Sequence, residues 1–569
     1  VVTSDIRLLN GVVHIIDGVL DPVDPNAGPG NIVQVASDAG FSTLLAAATR
    51  VGLAPVLSDA AATLTVFAPT DAAFSALGVD LMPVSDDIIA NILLQHVVAD
   101  DVPGTEVAMS PTLTTAAKLP LVVDASNTPI FVGGSTLSAT IDVPASNGRI
   151  HVMDEVIVPP TILETAASLA DFSSLVAAVG QSSAEIQTAL APSTLTGADP
   201  ITVFAPTNAA FTAAGIDLAT ISQSQLDRVL SHHAVVGQAL SSDLSDGQVI
   251  STLNGDITVG IDNGNVSLTD ESGNTVNVVN TDIRTLTGVI HVIDGVLIPL
   301  PTIVDIAVEA EFTSLVNAVV ATDLVGTLNS AGPFTVFAPS NAAFTALGVD
   351  LTPVSADVIA NILLHHVVPG TFDSTAVLAE SALTTAAKTS LAVDGASTPI
   401  TIGAAALSGT LNINARNGIV HVMDGVIVPP TIVEVAQATP TLSTLVSALG
   451  AASLVGNVSP DTLAGDMPIT VFAPSNDAFM AANVDLNNPP ANLSDILTYH
   501  VVMGQVLSSD LSDGQMVATV EGSMLEVDID ANGNVFLIDE QSNRIAVSTT
   551  DIRTLTGVVH LIDGVLLPN

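Results

Sequence analysis

The sequence predicts an α+β chain built from four copies of one module, and three observations predict it. The string Thr65-Val66-Phe67-Ala68-Pro69 returns at 202–206, 335–339 and 470–474. A second string, Gly-x-x-His-x-x-Asp, closes each copy at Gly148, Gly288, Gly418 and Gly557. Between the two, the apolar pattern changes from a helical period to short Val, Ile and Thr-rich runs with turn residues between them.

Each module opens on an amphipathic helical stretch. In the first copy Val35, Phe41, Leu44, Leu45 and Ala48 fall on one apolar face. The Thr-Val-Phe-Ala-Pro run reads as a buried strand stopped by proline. Thr70-Asp71 then supplies the N-cap of a helix that buries Phe74, with Thr207-Asn208, Ser340-Asn341 and Ser475-Asn476 as equivalents. The helix carrying NILLQHVV follows, and then the sheet half, with turn signals such as Asp262-Asn263-Gly264 and Ala531-Asn532-Gly533. The closing run around His291 is almost continuously apolar, the pattern of a central strand covered on both faces.

The copies are of two kinds. The first and third share ALGVDL and TTAAK; the second and fourth share LSSDLSDGQ and TDIRTLTGV, giving the order A-B-A-B. Residues 3–22, with Arg7, repeat the ends of the B modules around Arg284 and Arg553. The expected division is 1–22, closing strands of a preceding module; 23–30, linker; 31–160, module one (A); 161–300, module two (B); 301–430, module three (A); and 431–569, module four (B). Proline clusters mark the joints, and all but the first are short, which predicts a stiff rod. Globules of this size are about 35–40 Å across, so four in line would reach roughly 150 Å.

Composition excludes several functions. Acidic residues number 57 against 10 Lys plus Arg, a net charge of −47, which repels nucleic acid and anionic lipid and suits high salt or divalent cations. Cysteine is absent, removing disulfides, thiolate metal sites and thiol nucleophiles. No apolar run is long enough to span a bilayer; Phe41–Leu57 is interrupted by Ser42, Thr43, Thr49 and Arg50. Residues 1–6 carry no export signal. With no Trp and one Tyr, the cores must be aliphatic, with Phe as the large piece.

TVFAPTDAAF and GRIHVMDEVIVPP resemble the two signatures of the fasciclin I domain family, and the His-Val-Val segment resembles its Tyr-His region. The resemblance spans essentially the whole chain and implies β-sandwiches with a helical layer, in proteins of cell adhesion, matrix attachment or symbiotic contact. The Tyr-His pair is intact only as Tyr499-His500; Gln95, His232 and His365 precede the other signature histidines.

The family-signature residues, structural or adhesive, are His96, His233, His366, Tyr499 and His500 in the first set. The second set is His151, Asp154, His291, Asp294, His421, Asp424, His560 and Asp563. A Ser-His-Asp hydrolase would use His with Asp, but side chains three apart on a strand point to opposite faces. The histidines read instead as ties from the closing strand to a helix or loop, with the aspartate capping a turn. The pairs His232-His233 and His365-His366 diverge on a helix and lack a completing ligand set, so no metal and no cofactor is expected. LSSDLSDGQ, with Asp510 and Asp513, and EVDIDANGN depart from the EF-hand spacing and read as solvated surface. Lys118 and Lys388, the only lysines, hold one position of the two A modules as packed or exposed cations.

The function expected is therefore non-enzymatic: an extracellular or cell-surface adhesive array acting through many weak contacts. Its partners would be other copies of itself, in a fibre, or cell-surface and matrix components, with divalent cations on the acidic surface. The alternative is a binding module holding a small apolar ligand such as a pigment or lipid.

Overall fold

Strands that are apolar at every position are stable only where both faces are covered, and the two repeated strings form such a pair in each module. In the computed structural model, Leu64–Pro69 lies parallel to Gly148–Met153, with Phe67 opposite His151. Ile201–Pro206, Phe334–Pro339 and Ile469–Pro474 pair in the same register with Gly288–Ile293, Gly418–Met423 and Gly557–Ile562. The structure describes residues 28–78, 81–190, 199–348, 353–397, 399–460 and 462–569, and the backbone of the antiparallel strands Thr3–Leu8 and Gly11–Ile15. The expected linker, 23–30, and the tail's Asp17 lie largely outside the described residues.

This strand pair separates two cores in every module. In the first, Leu64, Val66, Ala68 and Ile150 face the helices, while Phe67 and Met153 face the sheet half, as side-chain alternation requires. The helical stretch is broken, not continuous: Ile32–Asp38, Ser42–Arg50 and Ala54–Leu57 are separated at Gly40 and Gly52, both at positive φ. Leu44 and Ala48 of the predicted apolar face are buried, but Val35 and Leu45 are only partly so.

The cap residues after the first string divide their work. Thr70 caps its own helix through Ala73 N–H, as do Thr207, Ser340 and Ser475 theirs. The next residue reaches back instead: Asp71 accepts from the Thr43 amide, and Asn208, Asn341 and Asn476 accept from Ser174, Ser314 and Thr444, each at the start of a neighbouring helix.

The A and B modules differ in their sheets. Module one has two four-stranded sheets, Val97–Val98, Leu64–Pro69, Gly148–Met153, Val143–Ala145 and Thr112–Thr114, Pro120–Asp124, Phe131–Val132, Ser135–Thr136; module three repeats them. Module two has a single seven-stranded sheet. There Thr275–Thr285 pairs with Asn265–Thr269 through Thr275–Asn277 and with the closing strand from Val278 to Thr285, and register shifts between Val278 and Asn280 and between Asn280 and Ile283 bend it within the second stretch. Arg544–Thr554 does the same in module four.

The glycine opening each closing strand is needed for close approach. Gly148 has φ +139°, and a Cβ there would lie 1.8 Å from the Leu64 carbonyl oxygen; Gly288, Gly418 and Gly557 meet Ile201, Phe334 and Ile469 in the same way. The chain divides into two compact units, Val1–Pro299 and Leu300–Asn569, each holding one A and one B module. Among the described residues no single helix is long and apolar enough to cross a membrane.

Candidate functional site

Within each module the two signature histidines are held as opposite neutral tautomers. His96 caps the C-terminus of Asp86–Gln95; its Nδ1–H donates to Ile92 O (2.8 Å) and its Nε2 accepts from Ile157 N–H (2.9 Å). His233, His366 and His500 repeat this with Leu297, Ile427 and Leu566 as donors. Burial lowers the pKa of all four to about 4. His151, on the closing strand, donates from Nε2 to Val102 O (2.9 Å) and accepts at Nδ1 from Asp142 N–H (3.2 Å). His291, His421 and His560 make the same contacts, and each ring packs on the phenylalanine opposite it.

The aspartate that meets the second histidine is therefore not the one in the motif. His151 is buried whereas Asp154 is exposed, and Asp294, Asp424 and Asp563 are exposed likewise. Asp294 turns to Asn277, accepting from its amide and side chain. The residue contributing the amide, Asp142, Asp282, Asn412 or Asp551, sits at positive φ, which aims its N–H at the ring. Its side chain holds a loop: Asp142 accepts from Gly104 N–H and Asp282 from the amide and hydroxyl of Ser241. Burial opposes the ionisation of Asp282, but the Ser241 contacts outweigh it and its pKa is lowered.

The position before the first histidine anchors the same helix end to the sheet half by four different chemistries. Gln95 accepts from Thr115 Oγ1, His232 bonds Asn254 O, and His365 bonds Thr389 Oγ1. Tyr499 donates to Met524 O (2.9 Å) and accepts from Glu540 N–H, and burial pushes its pKa up to about 12. Among the described residues no three His, Asp or Glu side chains come together as a metal site. The carboxylates of the acidic turns are engaged by the backbone: Asp510 by Leu507 N–H, Asp513 by Ile529 N–H and Asp530 by Asn532 and Asn534 N–H.

A second constellation joins the A module of each unit to its B module. Asn91, fully buried in the middle of an apolar helix, donates to Gln238 Oε1 (2.8 Å) and Thr285 O (2.9 Å) and accepts from Arg284 Nη1 (3.3 Å). The amides of Arg284 and Leu286 donate to Ala117 O and Pro160 O. Lys118 crosses to Thr281 O (2.7 Å) beside Asp282. In the second unit Asn361, Gln505, Thr554, Arg553, Ala387, Leu555, Pro430 and Lys388 make the same contacts, with Lys388 on Thr550 O. Burial lowers the pKa of Arg284 and Arg553, against the opposing pull of Asp282, Asp87 and Asp243 and of Asp551, Asp357 and Asp510. A polar residue within NILL of both A helices was the available signal for this seam; the B modules hold Arg228 and Asp495 at that position.

The family model described as Fasciclin domain matches residues 39–159, 170–299, 310–429 and 440–568. The chain belongs to the fasciclin family. It is 28% identical over 439 residues to the transforming growth factor-beta-induced protein ig-h3 of Sus scrofa, covering 75% of this chain and 61% of that protein. Human periostin is 27% identical over 348 residues, 58% of this chain and 40% of its own length. The cell surface glycolipoprotein MPB83 of Mycobacterium bovis is 37% identical over 142 residues, 23% of this chain and 58% of its own. The chain thus spans about three fifths of the first relative's length and two fifths of periostin's. A solved fasciclin domain pair, from the insect cell adhesion molecule fasciclin I, aligns with TM-score 0.31 and 18% identity over 45% of this chain and 96% of its own.

In this fasciclin chain the signature histidines are occupied on both ring nitrogens by backbone groups, which leaves no nitrogen to act as a base. An apolar cavity of about 40 Å³ lies in module three among Val304, Leu315, Val319, Val336, Leu363 and His366. That is far below the roughly 300–1,000 Å³ of ordinary small-molecule sites, whereas two more open recesses of mixed polarity reach it: about 370 Å³ around Ile216, Arg228 and Ile298 in module two and about 310 Å³ around Phe41, Thr140 and Ile150 in module one.

Proposed function

We propose that the chain is an extracellular, adhesive structural protein whose working part is the docked A–B pair. The observation that carries this is the seam: two units of one chain reproduce it residue for residue, so the chain presents the same composite surface twice. Duplicate surfaces multiply weak contacts through effective concentration. The name of the mycobacterial relative, a cell surface glycolipoprotein, supports the location. In this reading the partners are cell-surface or matrix components or further copies of the chain. The signature residues serve the fold that displays the surface, and divalent cations attach to the acidic exterior.

Retention of the full chain and of residues 28–299 on cell-coated and matrix-coated surfaces tests this. The full chain should be held at least about tenfold more tightly than the single pair. Equal retention, or none by either, would remove the adhesive reading. Fibre formation is checked by electron microscopy of concentrated native material. The competing reading, a pigment or lipid held by the modules, rests on the recesses of about 370 Å³ in module two and about 310 Å³ in module one; visible absorption bands carried by the purified chain would favour it.

A further inference from the structure

The protein has nine methionines, and seven are exposed: Met82 (79%), Met109 (82%), Met467 (62%), Met480 (68%), Met503 (57%), Met516 (51%) and Met524 (42%). The other two, Met153 and Met423, are fully buried in the sheet-side cores of the A modules. Side chains that share methionine's sensitivity to oxidants are missing or enclosed among the residues whose side chains are described: Cys and Trp are absent, Tyr499 is buried, and so are the ten histidines from His96 to His560. Thioether sulfur is therefore the readily oxidised group that water reaches among the described residues.

Five of the seven exposed methionines belong to module four, and two of them have informative counterparts. Met503 and Met516 align with Val236 and Val249 of module two, each 60% exposed. Both B modules thus keep a large apolar side chain in water at these positions, but only module four uses one whose polarity is chemically adjustable.

We propose that Met503 and Met516, with Met467, Met480 and Met524 around the same module, are a modification site for two-electron oxidants of the peroxide class. Oxidation there changes the surface of module four from apolar to polar while leaving the fold intact. In the step, a sulfur lone pair attacks a peroxide oxygen, an S–O bond forms and the O–O bond breaks. The sulfur loses two electrons to the peroxide, and the departing hydroxide takes up the proton carried by the transferred oxygen, leaving water and methionine sulfoxide. The sulfoxide is a polar group. At Met503 and Met516 it points into solvent; at Met153 or Met423 it would sit in a dry core without a partner.

The test exposes the full chain to dilute hydrogen peroxide and follows three quantities: the site of each added oxygen by peptide mass mapping, retention on a hydrophobic-interaction column, and the melting temperature. Met503 and Met516 should be oxidised at least about tenfold faster than Met153 and Met423, retention should fall, and melting should stay in place. Methionine sulfoxide reductase should restore the retention. The double variant Met503→Val/Met516→Val, which carries the residues of module two, should match the untreated protein's retention and lose less of it on oxidation. The proposal is overturned if the buried methionines oxidise as fast as the exposed ones, if melting collapses with the first oxygens, or if the double variant loses as much retention as the parent. Should the double variant misfold, the site-by-site rates in the parent still decide the matter.

Discussion

Acidification from pH 7.5 to pH 5 should destabilise every module, and the structure fixes both the direction and the size. His96, His233, His366 and His500 each accept a backbone N–H at Nε2, so the folded state has no room for a second ring proton. Burial holds their pKa at about 4, against an ordinary 6.5. A group whose pKa is depressed by folding gives its full contribution above the unfolded value. It loses that contribution as pH falls towards the folded value, because only the unfolded chain gains the proton. At pH 5 the loss is about 2 kcal/mol per module, rising to about 3 kcal/mol near pH 4. The second set adds to it, since burial also lowers the pKa of His151, His291, His421 and His560. Relief of repulsion among the 57 acidic residues begins only as carboxylates titrate near pH 4, so the histidines dominate above pH 5. Differential scanning calorimetry at pH 7.5, 6.0 and 5.0 should show melting fall by on the order of 5 °C or more. A melting temperature that holds or rises between pH 7.5 and 5.0 would refute the reasoning.

Three further outcomes follow from the geometry. Gly418→Ala should cost more than about 3 kcal/mol in urea unfolding of the second unit, because its Cβ would overlap the Phe334 carbonyl, whereas Gly409→Ala, with open space around it, should be nearly silent. Asn91→Ala should destabilise the first unit by about 1–3 kcal/mol, since it strands Thr285 O and an Arg284 N–H at the seam; Lys118→Ala, on a half-exposed cation, should cost under about 1 kcal/mol in the same measurement. Tyr499→Phe should lower the stability of module four by about 1–2 kcal/mol through loss of the bonds to Met524 and Glu540, with the change absent from the first unit's transition.

Much of the fold was legible because the repeated strings record burial. A strand apolar at every position must be covered on both faces, and the parallel pair around Phe67 and His151 is so covered. What was not legible depends on partners distant in sequence. His151 stands three residues from Asp154, but pleating separates them, and its partner is the amide of Asp142, presented by a positive φ that no local pattern announces. Asp71 reads as half of a cap, yet its carboxylate caps Ser42–Arg50, a helix that lies before the strand with another helix between them. Asn91 looks like a lapse in an apolar helix until the B-module tail closes over it. The difference between two sheets and one likewise turns on Thr275–Thr285 running on to pair with both the closing strand and Asn265–Thr269, where Val143–Ala145 of module one pairs with the closing strand alone, a continuation that composition does not encode.

The seam lies inside the stretch of sequence that is repeated, because Asn91 and Arg284, like Asn361 and Arg553, belong to the same A–B pair. Copying the gene segment for one pair therefore copies both halves of its fastening at once, already matched. A duplication in units of a single module would set an A beside an A and leave a buried asparagine facing the wrong tail. Lineages carrying this array should accordingly gain and lose modules two at a time, and the length of the protein should be able to drift in such steps without any new interface having to evolve.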